Sequence, residues 1–148
     1  MVPIFIDDIT LAGTSPAAND KVVEELKSHF KLRNLGPTNF LLGIHITHDI
    51  PNRTISLSQC QYIVNILERF RMADCKPVLT PIEPGTSLTS EMSPKSDEEV
   101  NEMWNVPYIV AVGCLMYLAT TTRPDISFTV GVLGRFNHNP GPRLFWKP

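Results

Sequence analysis

Near residue 58 the apolar residues of this chain change their spacing, from alternation in short runs to recurrence every three or four positions. No other feature of the sequence constrains the fold as strongly, because alternation builds strands and a 3.6-residue recurrence builds helices with one apolar stripe. Residues 2–6 and 9–12 are short β-rich runs on either side of Asp7 and Asp8. They predict a tight hairpin with the two aspartates as its turn. Ser15 and Pro16 supply an N-cap and a first helical residue, and Val22, Leu26 and Phe30 give that helix a stripe ending near His29. Asn34-Leu35-Gly36-Pro37 breaks it. Residues 40–47, interrupted by Gly43, and residues 54–57 read as a second hairpin turning at Pro51 and Asn52.

Beyond the switch, Ser58 as N-cap and Gln61 at the third helical position predict a capping box. Ile63, Ile66, Leu67 and Phe70 then mark one packed helix face. Residues 72–101 show no periodicity and carry Pro77, Pro81, Pro84, Gly85 and Pro94. This connector is expected to be mobile at its acidic end, where little apolar surface offsets the entropy of ordering. Residues 105–121 predict an apolar helix beginning at Pro107, Arg123-Pro124-Asp125 a corner, and residues 125–138 a last helix. Residues 139–142 lead out of structure, leaving Phe145 and Trp146 with nothing to pack against. The expected class is α+β: two β-hairpins with a helix over residues 1–58, and a helical part over 59–138. A Pro-rich acidic connector at about 72–104 interrupts the helical part, and 139–148 form an exit tail.

The 148 residues suit one domain, or pieces of two that share a core. A hydrophobic share of 43% with 19% charged is a globular balance. Residues 1–6 are apolar, but Asp7 and Asp8 cut them off before a signal-peptide core could form. The longest apolar run, residues 106–119, is too short to span a bilayer, so no membrane partner is expected. Cys60, Cys75 and Cys114 lie far apart without metal-ligand spacing and read as reduced thiols. His45 and His48, three apart on a strand, should face opposite sides, which argues against a shared zinc site. Residues 83–102 hold six acids against Lys95 alone, and the rest of the chain holds 12 bases against nine acids. The folded parts are therefore slightly basic, which permits phosphate contact.

Two adjacent carboxylates on a turn between apolar strands fix negative charge at one solvent-facing point. Hard divalent cations such as Mg²⁺ seek that arrangement, and in two-metal phosphoryl transfer such carboxylates place the ions. Taken alone, an Asp-Asp turn is more often only a hairpin turn.

Phe5-Ile6-Asp7-Asp8-Ile9 resembles the Tyr-Val-Asp-Asp box of reverse transcriptases. Leu35-Gly36-Pro37, Phe40-Leu41-Leu42-Gly43-Ile44, Leu57-Ser58-Gln59, Tyr62-Ile63, Asp74-Cys75-Lys76-Pro77-Val78 and Thr80-Pro81 follow. Then come Val112-Gly113-Cys114-Leu115-Met116-Tyr117-Leu118-Ala119, Arg123-Pro124-Asp125-Ile126 and Arg135-Phe136. In order and separation this series is similar to the copia-type retrotransposon enzyme, an RNA-directed DNA polymerase, over nearly the whole chain. The resemblance implies a fragment covering the C-terminal part of the polymerase palm and the thumb. It makes Asp7 the main catalytic and metal-binding carboxylate and Asp8 its weaker neighbour, with Mg²⁺ or Mn²⁺ as cofactor. It sets Phe5, Leu42, Gly43, Ile109, Gly113 and Tyr117 against nucleic acid, Leu42 and Gly43 as a primer grip and Ile109, Gly113 and Tyr117 on a thumb helix. Locally, Gly43 reads equally as a bulge or twist glycine in an ordinary strand.

The implied partners are an RNA–DNA or DNA template–primer duplex and the remaining palm, fingers and RNase H parts of a polyprotein. The implied location is intracellular, in a cytoplasmic virus-like particle. The chain departs from the pattern at Phe5 (Tyr in the family), Ile109 (Arg), Gly134 (Ser) and Phe145 (His). The first catalytic aspartate and the fingers lie upstream in the family, so the isolated chain is expected to be inactive. The alternatives are a non-enzymatic duplex-binding module and a functionless relic.

Overall fold

The computed structural model describes residues 1–145. The fold is α+β. Two small antiparallel sheets and one helix occupy the first 58 residues, and only helices and loops follow among the described residues. Strands β1 (Ile4–Phe5) and β2 (Asp8–Ile9) pair with Ile4 opposite Ile9 and Phe5 opposite Asp8. The turn is thus Ile6-Asp7 rather than the expected Asp7-Asp8. Main-chain bonds from Thr10 to Pro3 and from Ala12 to Met1 extend this register to the amino terminus and hold it. Helix α1 (Pro16–His29) starts as its caps dictate, with the Ser15 side chain accepting from the Ala18 N–H.

The expected strand over residues 40–47 is two strands. Leu42-Gly43 is a tight turn between β3 (Phe40–Leu41) and β4 (Ile44–Asp49). Its two central residues have φ of 52° and 80°, the left-handed pair that a two-residue hairpin turn requires. Gly43 is a turn residue, and neither a bulge nor a mid-strand twist. Strand β5 (Thr54–Ser58) closes the meander, pairing Asp49 with Thr54 and His45 with Ser58. Asp49 accepts from the backbone and side chain of Asn52, and those bonds hold its carboxyl below the usual range. His45 and His48 face opposite sides of the sheet, paired with Ser58 and Ile55.

Helix α2 (Cys60–Arg69) begins later than the expected capping box allows. Ser58 is still in β5, Gln59 is the N-cap, and the Gln61 amide donates to Asn65 instead of reaching back. Ile63, Ile66, Leu67 and Phe70 are half-buried, as one packed face requires. The acidic end of the connector is helical, contrary to expectation: α3 (Asp97–Met103) follows the N-cap Ser96, whose side chain accepts from the Glu99 N–H. Asp97, Glu98 and Glu99 in its first turn complement the helix dipole, and Met103 anchors it in the core.

The core lies in the C-terminal half. Helix α4 (Tyr108–Thr121), at 53° to α3, buries Tyr108, Val112, Leu118 and Ala119. Helix α5 (Ser127–Gly134) brings Val130, and Phe136 follows it. Each Val, Leu or Phe side chain among them contributes roughly 1.5–3 kcal/mol when fully buried. The Tyr108 hydroxyl donates to the Leu133 carbonyl at 2.8 Å, so this buried aromatic leaves no unsatisfied group. The corner before α5 is a short 3-10 turn, Pro124–Ile126, where Arg123 grips Asp125 at 2.8 Å. The described part of the tail does not exit. Helix α6 (Pro142–Phe145) turns back and sets the Phe145 ring 6.4 Å from that of Tyr108. Phe145 therefore has packing partners, and Trp146 lies outside the described residues. Among the described residues, no single helix is long and apolar enough to cross a membrane.

Candidate functional site

The side chains singled out by sequence fall in two places. The first is the tip of the β1–β2 hairpin. Ile6 has φ of 51°, a left-handed value that its branched side chain disfavours, and this bend puts Asp7 at the tip. Asp8, one residue on, lies opposite Phe5 on one hairpin face, with Ile4 and Ile9 on the other. Both carboxylates and Phe5 are exposed. Asp7 and Asp8 match a hard cation such as Mg²⁺ in kind, since both offer oxygen donors. In number they fall short of an enclosing set. Among the described residues no three of His, Cys, Asp or Glu gather where they could hold a metal ion.

The second place is the junction of α4 with the β3–β4 turn. The Tyr117 hydroxyl donates to the Leu42 carbonyl, a bond spanning 75 positions of sequence. The Tyr62 ring stands edge-on to that of Tyr117, with centroids 5.2 Å apart and planes at 90°. Gly43 faces Tyr62 closely enough that a Cβ there would lie 3.9 Å from the Tyr62 ring. Burial, then the hydrogen bond and charge of the Cys114 thiol, push the Tyr62 phenol up to about 12. One helical turn beyond Tyr117, the Thr122 hydroxyl donates to the side-chain oxygen of Gln59 at 2.7 Å. Gln59 is only 2% exposed, so its side-chain oxygen meets Thr122 away from water. A shallow cavity of ≈ 330 Å³ opens beside the turn, lined by Phe40, Gly43, His45, Ser58, Cys60 and Gln61.

Ile109, Gly113 and Tyr117 share one face of α4, as their four-residue spacing requires, but their environments differ. Ile109 is 61% exposed, and open space stands where a Gly113 Cβ would project. Tyr117 is half-buried beneath the Leu42-Gly43 turn. The open part of the face therefore begins where the turn ends and runs about 12 Å along the helix to Ile109. Leu42 itself keeps 45% of its surface exposed above the junction. The structure thus bonds the Leu42-Gly43 turn to Tyr117, at one end of the helix face that holds Gly113 and Ile109, and leaves Phe5, Asp7 and Asp8 on a separate hairpin. Gln59 entered the sequence reading only as part of a family motif and Thr122 not at all, and neither was given a role. The only signal was a polar residue wedged between a strand end and an apolar helix face.

Residues 1–84 match the family model described as reverse transcriptase (RNA-dependent DNA polymerase). The Pol polyprotein of transposon TNT 1-94 from Nicotiana tabacum is 41% identical over 93% of the chain. An uncharacterised mitochondrial protein of Arabidopsis thaliana is 36% identical over 93%, and the Pol polyprotein of transposon RE1 from the same plant is 33% identical over 93%. The chain spans 10% of the tobacco polyprotein, 53% of the mitochondrial protein and 9% of the RE1 polyprotein. No solved structure matches the chain.

Proposed function

The chain belongs to the reverse transcriptase (RNA-dependent DNA polymerase) family as a segment similar to copia-type retrotransposon Pol polyproteins, and from that premise we propose that it holds the template–primer duplex for nucleotidyl transfer. The first 58 residues serve as the C-terminal part of the palm, and the helices after them serve as the thumb. One observation carries this reading. The Leu42-Gly43 turn, which the family resemblance assigns to the primer, is hydrogen-bonded to Tyr117, on the same helix face as the Ile109 and Gly113 that it assigns to the duplex. The strip of turn and face taken together has the character of a surface that reads shape. It carries a glycine that lets a backbone approach, an exposed isoleucine, and no charge at the positions named. An RNA–DNA hybrid offers such a strip a shallow minor groove of sugars and base edges.

Asp7 and Asp8 would hold one edge of a Mg²⁺ or Mn²⁺ site, Asp7 as the principal ligand. The bound ion supplies charge stabilisation for phosphoryl transfer. The chain's own part is to present these carboxylates at a fixed tip while the strip holds the duplex. Because the two carboxylates do not enclose an ion, the isolated chain binds duplex without extending a primer. The test is titration of the 148-residue chain with a short RNA–DNA hybrid, followed by fluorescence anisotropy and amide shift mapping. Shifts should centre on Leu42, Gly43, Ile109 and Gly113, and affinity should fall as salt rises. Shifts confined to the Arg123–Asp125 corner, or none at saturating hybrid, would remove the reading.

A further inference from the structure

We propose that Tyr117 is a positioning residue that latches the Leu42-Gly43 turn to helix α4, so that turn and helix meet nucleic acid as one rigid body. The inference rests on the nucleic-acid role given above to the turn, and it assigns Tyr117 a different task from the direct contact its helix position suggests. Three observations carry it. The phenol is already committed, because its hydroxyl donates to the Leu42 carbonyl, an acceptor at the point where the chain reverses. The ring is clamped edge-on by that of Tyr62 on α2, with centroids 5.2 Å apart. The turn it grips is also conformationally costly. Leu42 has φ of 52°, a left-handed backbone that a leucine adopts only when its surroundings impose it.

A two-residue turn with leucine at its first central position lacks the local preference that Asn or Gly would supply there. Left to itself it would sample other shapes, and the exposed Leu42 side chain would have no fixed direction. The tyrosine hydroxyl supplies from 75 residues away the constraint that the local sequence omits. Phenylalanine at position 117 would keep the ring against Tyr62 and lose only that constraint.

The test uses the full 148-residue chain and compares it with Tyr117→Phe. Hydrogen exchange of the amides of residues 41–46, read by NMR in the free chain, should speed up by roughly fivefold in the variant, the scale of one lost hydrogen bond. Amides of the β4–β5 ladder farther from the turn should be unchanged. Affinity for the RNA–DNA hybrid should weaken by a similar factor, roughly fivefold. Thr122→Val is the control: it cuts the Gln59 bond and should leave exchange at the turn unaltered. A merely structural Tyr117 gives a different result, a lower unfolding midpoint with turn exchange and hybrid affinity both unchanged, and that overturns the proposal. A loosened turn with unaltered affinity overturns it as well. Exchange is measured without nucleic acid, so failure of the unsubstituted chain to bind hybrid would defeat the duplex-holding function and leave the latch to be judged by exchange alone.

Discussion

A left-handed backbone at a residue with a Cβ costs roughly 1–2 kcal/mol. Ile6, Leu42, Arg53 and Arg71 all adopt one, with φ between 51° and 56°. At Ile6 and Leu42 the cost is borne at the tip that carries Asp7 and at the turn proposed to meet the primer, where turn-favouring residues would be easier to accommodate. Leu42→Asn should therefore stabilise the chain by about 0.5–1 kcal/mol, measured as a higher urea midpoint, because asparagine tolerates the left-handed region. The same variant should weaken hybrid binding, since it removes an exposed apolar side chain from the strip. A lower midpoint would show that Leu42 makes packing contacts that outweigh its backbone. The tyrosines give a second prediction at this scale. Tyr62 is raised to about 12 and Tyr108 is raised by burial, so in the folded chain both bind their protons more tightly than in the unfolded chain. Their contribution to stability is complete below the ordinary phenol value near 10 and is lost as pH rises above it, for Tyr62 up to about 12. Urea midpoints should accordingly hold level up to about pH 10 and fall above it. Tyr62→Phe should soften that alkaline fall, and tyrosinate absorbance should lose its latest step.

Among the elements, α4 buries one part of its surface and leaves another open, and Gly113 lies on the open part. Glycine in a helix interior is about 1 kcal/mol less favourable than alanine. The space around Gly113 is open, so Gly113→Ala should raise stability by up to that amount. If the Ile109–Gly113 face lies against a duplex, the same methyl group should lower hybrid affinity several-fold, giving opposite signs in two assays on one variant. Affinity unchanged alongside the gain in stability would mean that the face is free of nucleic acid. Gly141 behaves otherwise. A Cβ there would collide with the Met92 carbonyl, so Gly141→Ala should undock α6 and cost about 1–3 kcal/mol, an overpacking penalty visible in the thermal midpoint. These elements were unequally legible in the sequence. Ser15 and Pro16 announced α1 because a cap and a fixed φ are local facts. Ser96 with Glu99 three positions on was an equally local signal for α3, but prolines before it and a run of acids around it masked the signal. The turn at Leu42-Gly43 carried only half its chemistry in sequence, the glycine. The other half comes from Tyr117, which no local rule connects to it. Phe145 was unreadable for the same reason: its partner, Tyr108, is a tertiary neighbour.

At the scale of the whole molecule, the buried core and the two aspartates lie far apart along the chain. The buried apolar residues run from Met103 to Phe136, while Val2, Ile4, Phe5, Ile6 and Ile9 around the two aspartates are all exposed. The hairpin tip is therefore held by its own ladder, by main-chain bonds out to Ala12, rather than by a core. Such a platform can present two carboxylates but gains no rigidity from packing, and Mn²⁺ should bind there weakly. Paramagnetic broadening should begin at residues 5–9, and tight stoichiometric binding at His45 or His48 would contradict the assignment. The consequence for activity follows from charge. Placing an ion between a nucleotide and a primer hydroxyl takes carboxylates that surround it, and the two present are adjacent on one hairpin. Losing that stabilisation of a transition state costs several kcal/mol, and each 1.36 kcal/mol is a factor of ten in rate. The 148-residue chain, given an RNA template, a DNA primer, nucleotides and Mg²⁺, should therefore show no primer extension above background while still binding the hybrid. Fused in register into the polymerase region of a related Pol polyprotein in place of its counterpart, the same segment should support extension, and Asp7→Asn in that fusion should abolish it with hybrid affinity retained. Extension by the isolated chain that disappears with Asp7→Asn would require a further metal-binding carboxylate within these residues, and Asp7 and Asp8 would then not be the one edge of an otherwise missing site.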